Sequence, residues 1–426
     1  MVECIRGSSI MSSNVLKFSD FAHQQYKQFS LYDCERSIAN VIDGLKITQR
    51  KIIFTCINRG ENAAKIKVAQ LASYVAAETD YHHGEDGIGG VIANMAKNFP
   101  GSNNIHFLEP IGQFGSQIDP QPAATRYIFT EFTKSFRKLF KKEDDCILEH
   151  LYSDDLEIEP IIYVPILPVV LINGTEEIGT GFASKVFNYN PEDLKKDILN
   201  ALTGKKRKDI LPWYNKWKGT VEKGENPGQY YFKGDLEVVN STTIKITELP
   251  IGMYQENIKK VLIQLTEEDF IKDFADDSND DNGINITVTV PRATAYLEKD
   301  KLLEKFKLIS KDTENLTLWL PTGKLRCFNN VKEIVDYFVE FRLAKYEERR
   351  LKLIDMNEAE LKWLEEKIKF IEFYLAESDT FRKSSKAQLM QFMSDNGFTQ
   401  SDRLLSQRIY SLTRDEIEEL KADIKI

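Results

Sequence analysis

Beyond Pro321 the chain contains no proline, and beyond Gly323 its only glycine is Gly397. Proline breaks helix interiors and glycine weakens them, so this C-terminal stretch is free to form long helices. Within it Leu361, Leu364, Ile368, Ile371 and Leu375 recur at alternating steps of three and four, with Glu and Lys between them. That is the spacing of a coiled-coil seam. The seam is short, which favours a helical hairpin over a free rod. Immediately before the stretch, Leu316, Leu318 and Leu320 alternate as a half-buried strand does, and Pro321-Thr322-Gly323 turns the chain back.

The segments upstream have other periods. Val68, Leu71, Ala72, Val75 and Ala76 fall at helical spacing, as do Ile88, Val91, Ile92, Met95 and Phe99. Short helices joined by glycine-containing turns suggest a helix-turn-helix type of module. From Pro100 to Pro122 the chain is rich in glycine and proline, the composition of surface loops, where chemistry often sits. Further on, Ile244 and Ile246 alternate with Thr243, Lys245 and Thr247, and Ile284, Ile286, Val288 and Val290 alternate with Asn285, Thr287 and Thr289. With the Leu316 run these imply an antiparallel sheet with helices beside it.

A chain of 426 residues exceeds one ordinary core and implies two or three domains. No apolar run approaches the roughly 18 residues of a membrane span, and no secretory signal opens the chain, so a cytoplasmic address is expected, or a nuclear one in a eukaryote. Cys4, Cys34, Cys56, Cys146 and Cys327 lie far apart with no C-x-x-C pair, which indicates neither a zinc site nor a disulfide framework. The net charge of -9 excludes a protein that coats nucleic acid with a uniformly basic surface. It leaves room for one basic face: Lys134, Arg137, Lys138, Lys141 and Lys142 form a run without an acid, whereas acids gather at Asp276, Asp277, Asp280 and Asp281 and in the C-terminal third. Taken alone, the basic run reads as a solvated helix face. Gly283 and Val288 fall out of register with a calcium loop, so the acidic stretch reads as a solvated hairpin loop.

The chemistry-bearing motifs come in a fixed order: Glu35-Arg36-Ser37-Ile38, Asp43-Gly44-Leu45-Lys46, Gln49-Arg50-Lys51, Tyr81-His82-His83-Gly84-Glu85, Gly112-Gln113-Phe114-Gly115-Ser116, Arg126-Tyr127, and Asn173-Gly174 leading to Gly179-Thr180-Gly181. Singly each has an ordinary explanation: a surface charge, a core tyrosine, a buried Ile178 in a turn. The stretch from Gly174 to Gly179 has the glycines of a phosphate-binding loop, but Thr180 stands where the lysine would be, which argues against nucleotide binding there. His82 and His83 have no nearby cysteine or spaced acid to complete a coordination sphere.

Together, from about Phe21 onward and most densely before Lys185, these motifs resemble the breakage-reunion region of type IIA DNA topoisomerases. That family includes the gyrase A subunit, the C-terminal part of eukaryotic topoisomerase II and the separate medium subunit of some bacteriophage enzymes. The resemblance implies an α+β multidomain fold: a winged-helix DNA-cleavage domain over 21–185 after an N-terminal extension 1–20, an α/β tower domain over 186–328, and over 329–426 coiled-coil helices ending in a dimerising C-gate. It implies that Tyr127 attacks the DNA backbone, helped by Arg126, His82, His83 and Arg36. Lys46, Arg50, Lys51, Gln113, Ser116, Lys134 and Lys138 are then expected on the DNA, and Ile178 as an apolar wedge between base pairs. A phenol is protonated at neutral pH and needs a proton acceptor, and a neighbouring guanidinium suits a phosphate target. Phosphate contacts make binding salt-dependent and largely independent of sequence.

Ala39 and Ile47 stand where many members of the family have proline, which puts local turn rigidity in doubt but removes no polar group. The family's acidic magnesium site and its ATPase are separate folds with no counterpart in this sequence. No metal site is therefore expected in this chain; magnesium and ATP are expected on a partner subunit or domain, double-stranded DNA as substrate, and a homodimer through the C-terminal helices. Two other classes remain. A non-enzymatic dimeric DNA-binding or architectural protein is distinguished by the absence of covalent attachment to DNA. A tyrosine recombinase would carry its arginines and histidine in a different order, and the Gly112–Ser116 loop disfavours it.

Overall fold

The computed structural model describes residues 17–81, 84–280, 282–377, 381, 383–408 and 412–424, with the backbone alone for Glu85 and Asp86. The chain gathers into two compact units, Met1–Leu343 and Ala344–Ile426.

The first unit opens on a helical run, Phe18–Asp20 and a π-helical turn Phe21–Tyr26, that continues into α1 (Lys27–Ser37). Helices α2 (Ile47–Asn58), α3 (Val68–Glu78) and α4 (Glu85–Ala96) follow. Their apolar stripes meet in one core: Ile52, Ile53 and Cys56 from α2, Val68, Leu71, Ala72 and Val75 from α3, and Ile88, Ile92, Met95 and Ala96 from α4. Both helical periods read from the sequence are therefore realised, except that Phe99 lies outside α4. Pro100 disfavours helical backbone in the residue before it, and the chain turns there instead. A two-residue strand β1 (Ile66–Lys67) pairs antiparallel with β2 (Phe129–Thr130) beside these helices. Two hairpins complete this half: β3 (His150–Ser153) with β4 (Leu156–Pro160), and β5 (Thr175–Gly179) with β6 (Phe182–Val186).

Downstream, β7 (Thr220–Lys223) and β8 (Gln229–Lys233) belong to a three-stranded sheet. A second core is built on β9 (Asp235–Asn240), β10 (Thr243–Glu248), β11 (Asp273–Asp276) and β12 (Ile286–Thr289), joined antiparallel in the order β11-β12-β10-β9. Ile244 sits opposite Val288 and Ile246 opposite Ile286, so the two alternating patterns share one buried face. Each of these four side chains contributes about 1.5 to 3 kcal/mol on full burial. Helices α5 (Gln255–Glu267) and α6 (Lys299–Lys305) cover that face with Ile258, Leu262, Leu302 and Leu303. The strand β13 (Ile309–Thr313) returns to pair with β8.

The third alternating run is not part of the four-stranded sheet. β14 (Thr317–Trp319) pairs with β15 (Leu325–Cys327) as a separate hairpin, with Leu318 in the first core and Trp319 packed with Cys34 and Ile38. Alternation identifies a strand but not its partner, and here a short turn selects the local one. The acidic loop closes as a tight turn in which the Gly283 N–H donates to Asn279 O at 2.8 Å. Asp281 lies outside the described residues.

Helix α7 (Val331–Ala376) runs for 46 residues without a break. In the second unit its Trp363, Phe370 and Ile371 share a core with α8 (Lys386–Asp395), α9 (Ser401–Leu405) and α10 (Arg414–Asp423), through Met393, Phe398, Leu404, Ile417 and Leu420. The expected seam is only partly engaged: Ile371 is buried, whereas Leu361 and Leu375 are exposed. Among the described residues three short helices pack at the end of α7, and no second long helix forms the expected hairpin.

Candidate active site

Tyr127 lies in a turn whose backbone is held on both flanks. Its own N–H donates to Ala124 O at 2.9 Å, and the next residue, Ile128, is buried in the first core. The first N–H groups of a helix lack partners inside it. At α3, Val68 donates to Ile128 O (3.0 Å) and Ala69 to Thr125 O (3.2 Å), so the helix start grips the tyrosine turn. Beyond it, Phe129 exchanges two backbone hydrogen bonds with Ile111, at 2.9 and 3.1 Å. A Cβ on Gly89 would lie 2.8 Å from Thr125 Cγ2, so α4 packs directly against the same turn. On this fixed backbone the Tyr127 side chain is 67% exposed. The Arg126 guanidinium sits 4.8 Å from the centre of the Tyr127 ring, keeping a permanent positive charge beside the phenol.

The loop before Tyr127 depends on its glycines. Gly112 and Gly115 have φ of +111° and +96°, and a Cβ on Gly115 would stand 2.6 Å from Pro120 O. Only glycine adopts both the angle and the approach. Gln113 O accepts from Ala123 N at 2.9 Å, which ties the loop to the segment that enters the turn, while the Gln113 side chain is exposed. Ser116 Oγ accepts from Ile118 N (3.2 Å) and Asp119 N (3.3 Å), so this hydroxyl, expected on the DNA, closes the loop on itself. The loop has a foot in each core, Phe114 in the first and Ile118 against the second. Between them Gln117 Nε2 donates to Glu248 Oε1 at 2.5 Å.

Ile178 stands next to last in β5, opposite Ala183 and just before the Thr180-Gly181 turn, and it is 84% exposed. This excludes a buried isoleucine. The hairpin is docked on α1: Thr180 donates its N–H and its hydroxyl to Asp33 Oδ2 at 2.8 and 2.7 Å, and the hydroxyl bond holds the Asp33 carboxyl below the usual range. Burial pushes up the pKa of the neighbouring Cys34 thiol, whose Sγ a Cβ on Gly179 would approach to 3.2 Å. Arg36 is exposed on the same helix one turn on, and Lys46 forms an ion pair with Glu177, beside Ile178.

Two expected DNA contacts lie inside the fold. Arg50 is buried, donating from Nε and Nη2 to Asp43 at 2.7 and 3.1 Å and from Nη2 to Leu45 O at 2.9 Å. Lys51 donates to Thr79 O at 2.5 Å and pairs with Glu159 at 2.8 Å. Both side chains buttress the segments that carry the other site residues. Lys134 and Lys138 are exposed at the short helix Ser135–Leu139, whose Arg137 is taken by Glu61 and Asp145. His82 and His83 lie outside the described residues. The motifs did not disclose Asp33, Gln117 or Glu248, and they contained Thr180 without indicating its bond to Asp33. For Glu248 a signal existed, since it follows Ile244 and Ile246 on the buried face of β10.

Residues 36–426 match the family model for the A subunit of DNA gyrase/topoisomerase IV. The chain belongs to that family. It is 35% identical over 421 residues to DNA topoisomerase 2 of Saccharomyces cerevisiae, covering 96% of this chain and 29% of the relative. To DNA topoisomerase 2 of Candida albicans it is 34% identical over 390 residues, covering 90% of this chain and 27% of the relative. The crystal structure of the Plasmodium falciparum topoisomerase II DNA-binding, cleavage and re-ligation domain superposes with a TM-score of 0.89 at 34% identity, covering 96% of this chain and 60% of that one. The resemblance read from the motifs is borne out, and so is the α+β fold. The chain spans less than a third of the length of these two curated topoisomerase 2 relatives.

Membership of the DNA gyrase/topoisomerase IV family implies magnesium chemistry, which the residues present can be tested against. Among the described residues no group of three or more His, Cys, Asp or Glu side chains is gathered to hold a metal. Two acids of the Tyr127 loop and its anchor are committed to backbone and amide donors: Asp119 accepts from Gln121 N at 3.0 Å, and Glu248 from Gln117, Leu249 and Lys218. These residues do not fit a metal centre of their own. No described helix is long and apolar enough to cross a membrane.

Proposed function

We propose that this chain cuts and rejoins double-stranded DNA as the cleavage part of a type II topoisomerase, with Tyr127 as the nucleophile. The observation that carries the reading is an exposed phenol on a backbone fixed from both sides, with a guanidinium at its ring. Tyr127 Oη attacks the scissile phosphorus and gives its proton to solvent. The bond from phosphorus to the 3′ oxygen breaks, and that oxygen takes up a proton and leaves as a hydroxyl. The phosphate remains on the tyrosine as a 5′-phosphotyrosine ester, close in energy to the bond it replaced, so the reverse attack by the 3′ hydroxyl restores the strand without external energy.

Arg126, Arg36, His82 and His83 complete the proposed catalytic set, with Lys46, Gln113, Lys134 and Lys138 along the DNA. Arg50 and Lys51 support these segments from within, and Ser116 shapes the loop. Ile178 is the wedge: an aliphatic side chain presented to solvent at a hairpin tip gains nothing until it enters a base step, where it exchanges unstacking energy for a bend that wraps more protein. Helices α2 to α4 with β1 and β2 form the winged-helix cleavage domain, the four-stranded sheet with α5 and α6 belongs to the tower, and the second unit is the C-gate. One tyrosine cuts one strand, so two copies act as a two-fold dimer. The magnesium-binding acids and the ATPase come from a partner protein, as in the bacteriophage arrangement, or from another domain of a longer protein.

Tyr127→Phe tests the reading in the assembled enzyme with magnesium and ATP. Covalent protein-DNA adducts are expected to vanish while non-covalent DNA affinity stays within about twofold, because only the nucleophilic oxygen is lost. Undiminished adducts would remove Tyr127 from the reaction.

A further inference from the structure

The loop that leads to Tyr127 is anchored by a residue of the other core, and the anchor is a single buried carboxyl group. Glu248 ends β10 with its side chain turned inward in register with Ile244 and Ile246. Its Oε1 accepts from Gln117 Nε2 at 2.5 Å and from Leu249 N at 3.0 Å, and its Oε2 accepts from Lys218 N at 3.1 Å. Buried polar groups are strongly held to their partners, because leaving one unmatched costs its desolvation. Of the three donors Leu249 belongs to the second core's own chain segment, whereas Gln117 and Lys218 come from outside it, and Ile118 beside Gln117 packs on that core.

The path from Gln117 to the phenol is short and stiff. Phe114 fixes the loop to the first core, Gly115 is pressed against Pro120 O, and Gln113 O holds Ala123 N. Ala124 O then accepts the Tyr127 N–H. The α3 terminus grips the far flank of the same turn through Thr125 and Ile128. One flank is therefore set by the first core alone, while the other is tied both to the first core through Phe114 and to β10 through Gln117.

We propose that Glu248 is a positioning residue for Tyr127, acting through Gln117, so that the second core sets the placement of the nucleophile. The proposal rests on Tyr127 as nucleophile. Displacement of a reacting atom by about an ångström can cost on the order of 100-fold in rate. Gln117 is half-buried at the surface of the loop, so its loss removes the tie without opening either core.

The test is a double-mutant cycle, Gln117→Ala, Glu248→Gln and the pair, read by single-turnover DNA cleavage in the assembled enzyme with its magnesium- and ATP-binding partner. A glutamine at 248 breaks the Gln117 contact when its amide oxygen turns to Lys218 N, since its NH2 group then faces the Gln117 donor; Glu248→Ala, which removes the acceptor altogether, is run beside it so that the contact is lost in at least one variant at 248. Gln117→Ala is expected to slow cleavage by about 10-fold or more with DNA affinity and melting temperature nearly unchanged, which a merely structural role would not do. The double variant is expected to be no slower than the slower single variant, since both break one contact. Wild-type cleavage by Gln117→Ala, or losses that multiply in the pair, would overturn the proposal. Failure of the wild-type enzyme to form a Tyr127-dependent adduct would instead sink the nucleophile assignment, so the two failures are distinguishable.

Discussion

Thr180 donates both its backbone N–H and its hydroxyl to one oxygen of Asp33, at 2.8 and 2.7 Å. This forked contact joins α1 to the hairpin that carries Ile178, and it is made only with the carboxylate of a side chain that protrudes from the helix. Asp33→Ala is expected to cost about 1 kcal/mol of stability, a small figure because solvent screens the half-exposed group. DNA bending and cleavage should fall by several-fold, since the wedge would lose its orientation. The hydroxyl bond depresses the folded pKa of Asp33. Its contribution is therefore complete above the ordinary aspartate value of about 4 and is lost as pH falls through the lower folded value. Amide exchange of Thr180 followed from pH 6 downward, ~2 to 6 being the range of interest, reads this directly. Protection that is unchanged in Asp33→Ala would show the contact to be idle.

Ile178 is exposed to 84% before any DNA is present, and its truncation removes almost no buried surface. Ile178→Ala should therefore change stability by no more than about 0.5 kcal/mol, against the 2 to 5 kcal/mol of a buried isoleucine. The expected loss is in bend angle, measured by energy transfer between dyes on the DNA ends, and in cleavage yield. Normal bending in the folded variant would end the wedge assignment.

The sequence made the local elements legible and the partnerships between them much less so. Val68 to Val75 and Ile88 to Met95 declared their helices because one face had to be apolar, and Ile244 and Ile286 declared their strands by alternation. Leu316 to Leu320 declared a strand equally well, yet β14 pairs with β15, because nothing in a period of two names the neighbouring strand. The coiled-coil seam met the same limit: its spacing is real, but only Ile371 is fully covered. At the site, Tyr127, Arg126 and Ile178 were found as motif positions and are exposed, as the proposed roles require. Arg50 and Lys51 were found by the same motifs, but charge at a motif position does not say whether the partner is a phosphate or a buried carboxylate such as Asp43 or Glu159. Glu248 was missed because the alternation of Ile244 and Ile246 was followed only to Thr247, one residue short of the inward position that the acid occupies.

Glu314 offers a pH test independent of DNA. Desolvation raises its carboxyl to about 7, although Tyr189 Oη and Phe187 N donate to Oε1 at 2.8 and 3.1 Å. A folded pKa above the unfolded one means that the folded state binds the extra proton, so the stabilising contribution is full below pH ~4.5 and is lost as pH rises through about 7. Glu314→Gln can keep both bonds on its amide oxygen while removing the ionisation. Relative to the wild type, the variant should gain about 2 to 3 kcal/mol between pH 5 and pH 8, read from thermal or denaturant unfolding at each pH. Parallel pH profiles for the two proteins would show that Glu314 does not titrate in this range.

Lys51 separates a supporting role from a direct DNA contact. Its ammonium group bridges Thr79 O at the end of α3 and Glu159 on β4, and Glu159 is itself buried with Oε2 lacking a hydrogen-bond partner among the described residues. Removing one partner of a buried ion pair leaves the other charge stranded, so Lys51→Met is expected to destabilise the protein by about 3 to 5 kcal/mol. Pairing it with Glu159→Leu replaces both charges with apolar groups and should recover most of that loss. A phosphate-contacting lysine behaves in the opposite way: its loss leaves the melting temperature unchanged and lowers the salt dependence of DNA binding by about one unit of slope. Lys46, Lys134 and Lys138 are expected to follow that second pattern and Lys51 the first. Equal melting temperatures for wild type and Lys51→Met, with a reduced salt slope, would put Lys51 on the DNA and leave the Thr79 and Glu159 contacts without consequence.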